Sequence, residues 1–157
     1  MEQLRKIYRI AVIIGVAMIG SLFTYAAIIE WMKTNYKPFQ GFSGFPGLEM
    51  LRYLFLGIAV GEFALTKFVR NLILSGKGGR GEDSGAERPS PSAAFKLLTA
   101  AIINYALCET VAFFGLVLFF IGGSSFDFYF FMVLSLIFYA IYFPRYSHWE
   151  DWMRKTD

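Results

Sequence analysis

Three stretches of this chain run almost without charge over a length that can cross a lipid bilayer. Ile10 to Ile29 holds no charged residue, Phe128 to Pro144 holds none, and Leu97 to Ile121 holds one, Glu109. At a helical rise of about 1.5 Å per residue, each can cross or nearly cross a hydrocarbon core about 30 Å thick. Hydrophobic residues make up 56% of the chain and aromatic ones 19%, above what a water-soluble domain carries. A fourth stretch, Leu51 to Leu74, is interrupted by Arg52, Glu62, Lys67 and Arg70. Arg52 lies at one end, and Lys67 and Arg70 can snorkel from the other. The preferred reading is an all-α, polytopic integral membrane protein. It is a single four-helix transmembrane bundle over residues 1–157, with spans near 10–32, 50–74, 95–122 and 126–144. The alternative is three spans and an interfacial helix.

Lysine and arginine placement sets the expected orientation. Arg5, Lys6 and Arg9 precede the first span, six more lie from Lys67 to Lys96, and Arg145, Arg154 and Lys155 follow the fourth. Only Lys33, Lys37 and Arg52 fall on the opposite side. The positive-inside rule then puts both termini in the cytoplasm, and a three-span chain would strand the basic tail on the wrong face. The expected location is a multi-pass protein of a bacterial inner membrane. A net charge of +3 is thereby absorbed by orientation, with no basic face left for nucleic acid. The first span could also be a signal peptide ending near Thr24-Tyr25-Ala26, but its apolar run continues to Trp31 and Met32, longer than a signal core.

The connections differ in character. Ser75 to Ala93, rich in Gly, Ser, Pro and charge, reads as a flexible cytoplasmic linker over 75–93. It has no GxxxxGK[ST] and no preceding strand, so it is not expected to bind nucleotide. Trp31 to Met50 repeats Phe-x-Gly at Phe39, Phe42 and Phe45. That is expected to form an aromatic loop at the outer interface, either an interfacial belt or a surface for a partner. In the tail, 145–157, Trp149 and Trp152 stand three apart after Pro144, predicting an amphipathic turn laid on the inner leaflet. Cys108 is the only cysteine and His148 the only histidine, which leaves no expected disulfide, metal site or cofactor.

Glu109 is the residue that asks for a reason. It lies twelve residues beyond Leu97, about 18 Å along the helix and near the midplane. A charge there costs at least about 2.5 to 3.5 kcal/mol on insertion scales. Glu62 is twelve residues before Leu74 and should reach a similar depth in the antiparallel neighbour. Tyr105 is four residues before Glu109 and Thr66 four after Glu62, so phenol and hydroxyl can lie on the carboxyl faces. Asn104 points about 140° away around the helix. Gly57 and Gly61 form a GxxxG step beside Glu62, which would let another helix approach closely. These groups serve either as helix-fastening hydrogen bonds or as a proton or ion site.

The segment Glu109-Thr110-Val111-Ala112-Phe113-Phe114-Gly115-Leu116-Val117 resembles the second helix of the proteolipid subunit c of rotary ATP synthases. There an intramembrane acid precedes an aromatic-Gly-Leu-Val sequence. The resemblance implies a proton- or ion-carrying role for Glu109, close helix packing at Gly115, and a hairpin entered from a cytoplasmic loop. It covers one span firmly and one hairpin loosely. The long linker in place of a short polar loop, the glycine-poor second span and two extra spans depart from that family.

Three function classes follow. The expected one is a non-catalytic accessory or scaffold subunit, acting through helix contacts with other membrane subunits or with itself. The second is a proton or cation carrier using Glu109, and the third an enzyme or lipid-binding protein. With one histidine, one cysteine and no aspartate inside the apolar runs, no nucleophile, base and orienting group assemble from the sequence.

Overall fold

The computed structural model describes residues 2–42, 46–74 and 93–154. Five helices follow in order: α1 (Glu2–Asn35), α2 (Leu48–Leu74), α3 (Ala93–Gly122), α4 (Ser125–Tyr142) and α5 (Tyr146–Arg154). No strand occurs among the described residues. Leu4–Asn35, Phe95–Gly122 and Ser125–Tyr142 are each long and apolar enough to cross a membrane. α2 is 27 residues long, but its five charges, Glu49, Arg52, Glu62, Lys67 and Arg70, set it apart from those three. Apart from Ala93, which opens α3, the expected linker lies outside the described residues.

α3 is the hub. Its apolar residues are spread around the helix, as in a buried helix or a membrane span, and α1, α2, α4 and α5 all pack on it. Val111, Ala112, Leu118 and Phe119 are fully buried along its length. α4 comes close at Gly115, where a Cβ would stand 2.8 Å from Phe131 Cβ and 3.0 Å from Phe128 Cα. A hydrogen in place of a side chain is what lets the α4 backbone come so near. The α3–α4 turn is correspondingly short. Gly123 adopts φ +71°, the left-handed conformation that ends helices at glycine, and its N–H donates to Phe119 O at 2.7 Å.

α4 is fixed by hydroxyls donating to helix carbonyls. Ser135 Oγ donates to Cys108 O (2.6 Å), Tyr139 Oη to Tyr105 O (3.1 Å) and Tyr142 Oη to Phe63 O (3.2 Å). The first two, four residues apart on α4, meet α3 carbonyls three residues apart in the opposite direction, the register of an antiparallel pair. α4 ends at Tyr142, as Pro144 requires. Phe143 takes the extended ψ of 130° that a residue before proline favours.

α1 begins well before the expected span. Glu2 and Lys6 pair at 3.1 Å one turn apart, and Leu4 is buried. Tyr8 meets Tyr146 and Trp149 edge-on at 5.2 and 5.5 Å and donates to Pro144 O at 3.2 Å. This alters the expectation for the tail. α5 is helical, but Trp149, 6% exposed, is a core residue under α1 rather than an anchor in a leaflet. Trp152's side chain lies outside the described ones.

The Phe-x-Gly loop is packed. Phe39 stacks on Phe119 at 4.9 Å and Phe42 on Phe120 at 6.0 Å, while Phe42 N–H donates to Phe120 O at 2.7 Å. Gly41, at φ +84°, lies against the Ile121 backbone, where a side chain has no room. Phe42 remains 75% exposed, so one ring of the repeat faces outward. Phe45 lies outside the described residues.

Candidate functional site

The Glu109 carboxyl is held by α1. Ser21 and Tyr25, one turn apart on that helix, direct their hydroxyls to the same oxygen, Oε1, at 2.6 and 2.8 Å. A three-residue constellation thus links two helices 84 and 88 residues apart in sequence. Ser21 Oγ also lies 2.6 Å from Met18 O. A hydroxyl has one hydrogen, so Ser21 either donates to Oε1 or donates to Met18 O and accepts a hydrogen bond from the protonated acid. The carboxyl can therefore be accommodated with or without its proton by rotation of one hydroxyl. An open cleft lined by Tyr25, Ala106, Glu109, Thr110 and Phe113 leads from the carboxyl to the outer surface between α1 and α3.

The groups expected beside the two carboxyls, Tyr105 at Glu109 and Thr66 at Glu62, are turned elsewhere. Tyr105 is 1% exposed and stacks on Tyr139 at 5.9 Å. Its ring enters a notch at Gly15, where a Cβ would stand 2.7 Å from Cζ, and its Oη has no hydrogen-bond partner. Four residues leave a 40° offset around a helix, enough for the α1 notch to take the phenol while Ser21 and Tyr25 take the acid. Thr66, 2% exposed, donates to the Glu62 backbone carbonyl at 2.8 Å and not to a carboxylate. Glu62 is half-buried, with its Oε2 unpartnered, and no hydrogen bond joins it to Glu109.

Gly57 and Gly61 face away from the bundle, with no atom within 4 Å of a Cβ at either. The helix they would admit is not one of this chain's described helices. On the other side of α2, Ala59 is fully buried and Phe55 stacks on Phe114 at 4.7 Å.

Sequence reasoning missed a second polar centre. Arg52, in the first turns of α2, meets Asp127 in the first turn of α4, Nε to Oδ1 and Nη2 to Oδ2 both at 2.8 Å. Asp127 is 2% exposed. Carboxylates are favoured at helix N-termini, and Asp127 lies beside Phe128 just past a glycine turn. That signal was present, but its partner 75 residues away was not identifiable. At the same end of the bundle, Glu30 accepts from Lys33 Nζ at 2.8 Å and from Tyr129 Oη at 2.6 Å, tying α1 to α4.

No group of His, Cys, Asp and Glu capable of holding a metal occurs among the described residues. Comparison with protein-family models, curated proteins and solved structures finds no match for this chain.

Proposed function

We propose that this chain is a four-span integral membrane protein with cytoplasmic termini, acting as a non-catalytic accessory or scaffold subunit in a bacterial inner membrane. The observation that carries the reading is the outward face of α2. Gly57 and Gly61 are cleared of side chains on a surface flanked by the exposed Leu54, Ile58 and Leu65, the surface another membrane helix packs against most closely. Support for α2 as a span comes from its ties to the apolar helices. Arg52 is neutralised by Asp127, and Phe63 packs on Phe138 at 5.2 Å. The occupant is a transmembrane helix of a partner subunit or of a second copy. Cross-linking from Leu54→Cys in a Cys108→Ala background separates these by the mass of the product. Gly57→Leu with Gly61→Leu is expected to abolish that product while the protein stays folded, since none of the described residues occupies the space. Unchanged cross-linking in the double variant sinks the proposal.

A carrier role for Glu109 is the second reading, favoured by one observation: Ser21 can serve the carboxyl as donor or acceptor. Glu109→Gln keeps the shape and the hydrogen-bonding capacity but cannot exchange a proton. If the acid only fastens α1 to α3, this variant is nearly silent, and Glu109→Leu loses about 1 kcal/mol. A folded, abundant Glu109→Gln protein that fails to restore proton flux in a deletion strain establishes the carrier instead.

A further inference from the structure

At the end of the bundle where α4 gives way to α5, a cavity of about 340 Å³ opens between α3, the Phe143-Pro144 bend and the first turn of α5. Ala100 and Ala101 make the room on α3, Trp149 forms a wall, Arg145 and His148 stand at the mouth, and Asn104 lies within. Arg145 and His148 are exposed, and Arg145 has no ion pair among the described residues. The N-terminus of α5 adds its positive dipole end to the same mouth. Asn104 is only 6% exposed, and its Oδ1 has no hydrogen-bond partner. A buried amide oxygen left without a donor is costly, and this one belongs to a residue that lines the cavity.

We propose that this cavity binds the glycerophosphate group of a membrane lipid. The order of the protein groups matches the order of groups in such a lipid. Its phosphate lies at the membrane surface, where Arg145 presents a planar fork suited to phosphate oxygens, with His148 beside it. The glycerol lies one step deeper, where the Asn104 amide can donate to an ester carbonyl or accept from a free hydroxyl. Deeper still the acyl chains meet the apolar surfaces of α3 and α4. Cationic pockets between helices at the membrane boundary bind anionic headgroups by this arrangement. Free glycerol 3-phosphate carries the same chemistry without chains, and the experiment distinguishes the two sources. The site requires that α3 and α4 cross the membrane, and does not depend on which leaflet it faces or on the role of α2 or Glu109.

The test is native mass spectrometry of the full chain in mild detergent, with phosphatidylglycerol, uncharged diacylglycerol and free glycerol 3-phosphate as probes. The wild type is expected to retain phosphatidylglycerol and not diacylglycerol. Arg145→Gln, an exposed change that leaves the fold alone, should weaken retention about tenfold, the worth of a charge-assisted hydrogen bond. Lys33→Gln at the other end of the bundle should leave it unchanged. Asn104→Leu should weaken it as well, provided that its helical signal matches the wild type. Displacement of the lipid by free glycerol 3-phosphate assigns the site to the soluble phosphoester, and persistence of the lipid assigns it to the membrane. Equal retention of diacylglycerol, or undiminished retention by Arg145→Gln, overturns the proposal.

Discussion

Glycine acts in this chain in two opposite ways, and the difference is measurable one residue at a time. At Gly115 a Cβ would meet the Phe128 backbone and Phe131 Cβ, neither of which can move without shifting α4. Gly115→Ala is therefore expected to destabilise by about 1 to 3 kcal/mol, the usual cost of overfilling a packed interface. At Gly57 the same methyl group meets none of the described residues within 4 Å. There Gly57→Ala should be neutral or gain up to about 1 kcal/mol from helix propensity. Unfolding measured by steric trapping in bicelles checks both. Equal effects at the two sites would mean that one of these helix faces has been misassigned. Gly15 stands between the two cases, because its neighbour is the far end of the Tyr105 side chain rather than backbone.

Among the elements, α2 adds an ion pair, Arg52–Asp127, to its aromatic contacts with α3 and α4. The Arg52 side chain is 41% exposed and that of Asp127 3%, so the two partners are not equivalent. Removing Arg52 leaves a buried carboxylate unpaired. Removing the charge of Asp127 leaves a guanidinium that can turn to water. Arg52→Leu is expected to cost about 2 kcal/mol, reduced from the value for a fully buried pair by that exposure. Asp127→Asn should cost clearly less, and the double variant less than the sum of the two. Thermal unfolding of the three variants in detergent provides the test, and additivity would show that the pair does not hold α2. α3 presents the contrasting case. Its packing is mostly apolar, with hydroxyl bonds to α1 and α4 added to it, so removal of any one of those bonds is expected to loosen a neighbour without detaching it.

For the whole molecule, the arrangement to be tested is that of the ends and loops across the membrane. Thiol labelling in a Cys108→Ala background addresses it directly. An impermeant probe should modify Ser124→Cys, in the short α3–α4 turn, in intact cells. It should modify Ser84→Cys, between α2 and α3, only after permeabilisation. Labelling of position 84 in intact cells would invert the bundle, and labelling of both positions from one side would leave α3 uncrossed. The uneven distribution of lysine and arginine favours the first pattern.

The sequence by itself determined the helices and their apolar character. Charge-free runs of span length, a proline after Phe143 and glycines after Ile121 are local signals, and the physics they report is local: backbone satisfaction, turn chemistry and hydrocarbon thickness. It also marked Glu109 as a residue in need of partners. Which partners it has was decided by tertiary structure alone. Helical spacing can place Tyr105 near the acid, but it cannot show that Gly15 opens a notch for that ring or that Ser21 and Tyr25 arrive from α1. The Arg52–Asp127 pair and the Ser135 and Tyr139 hydroxyl bonds were hidden for the same reason. In an apolar span a serine or tyrosine carries no periodic signal, and its acceptor is a carbonyl that every residue possesses. Trp149 shows the reverse error. Its spacing from Trp152 suggested a surface, and only the arrival of Tyr8 from the other end of the chain made it core.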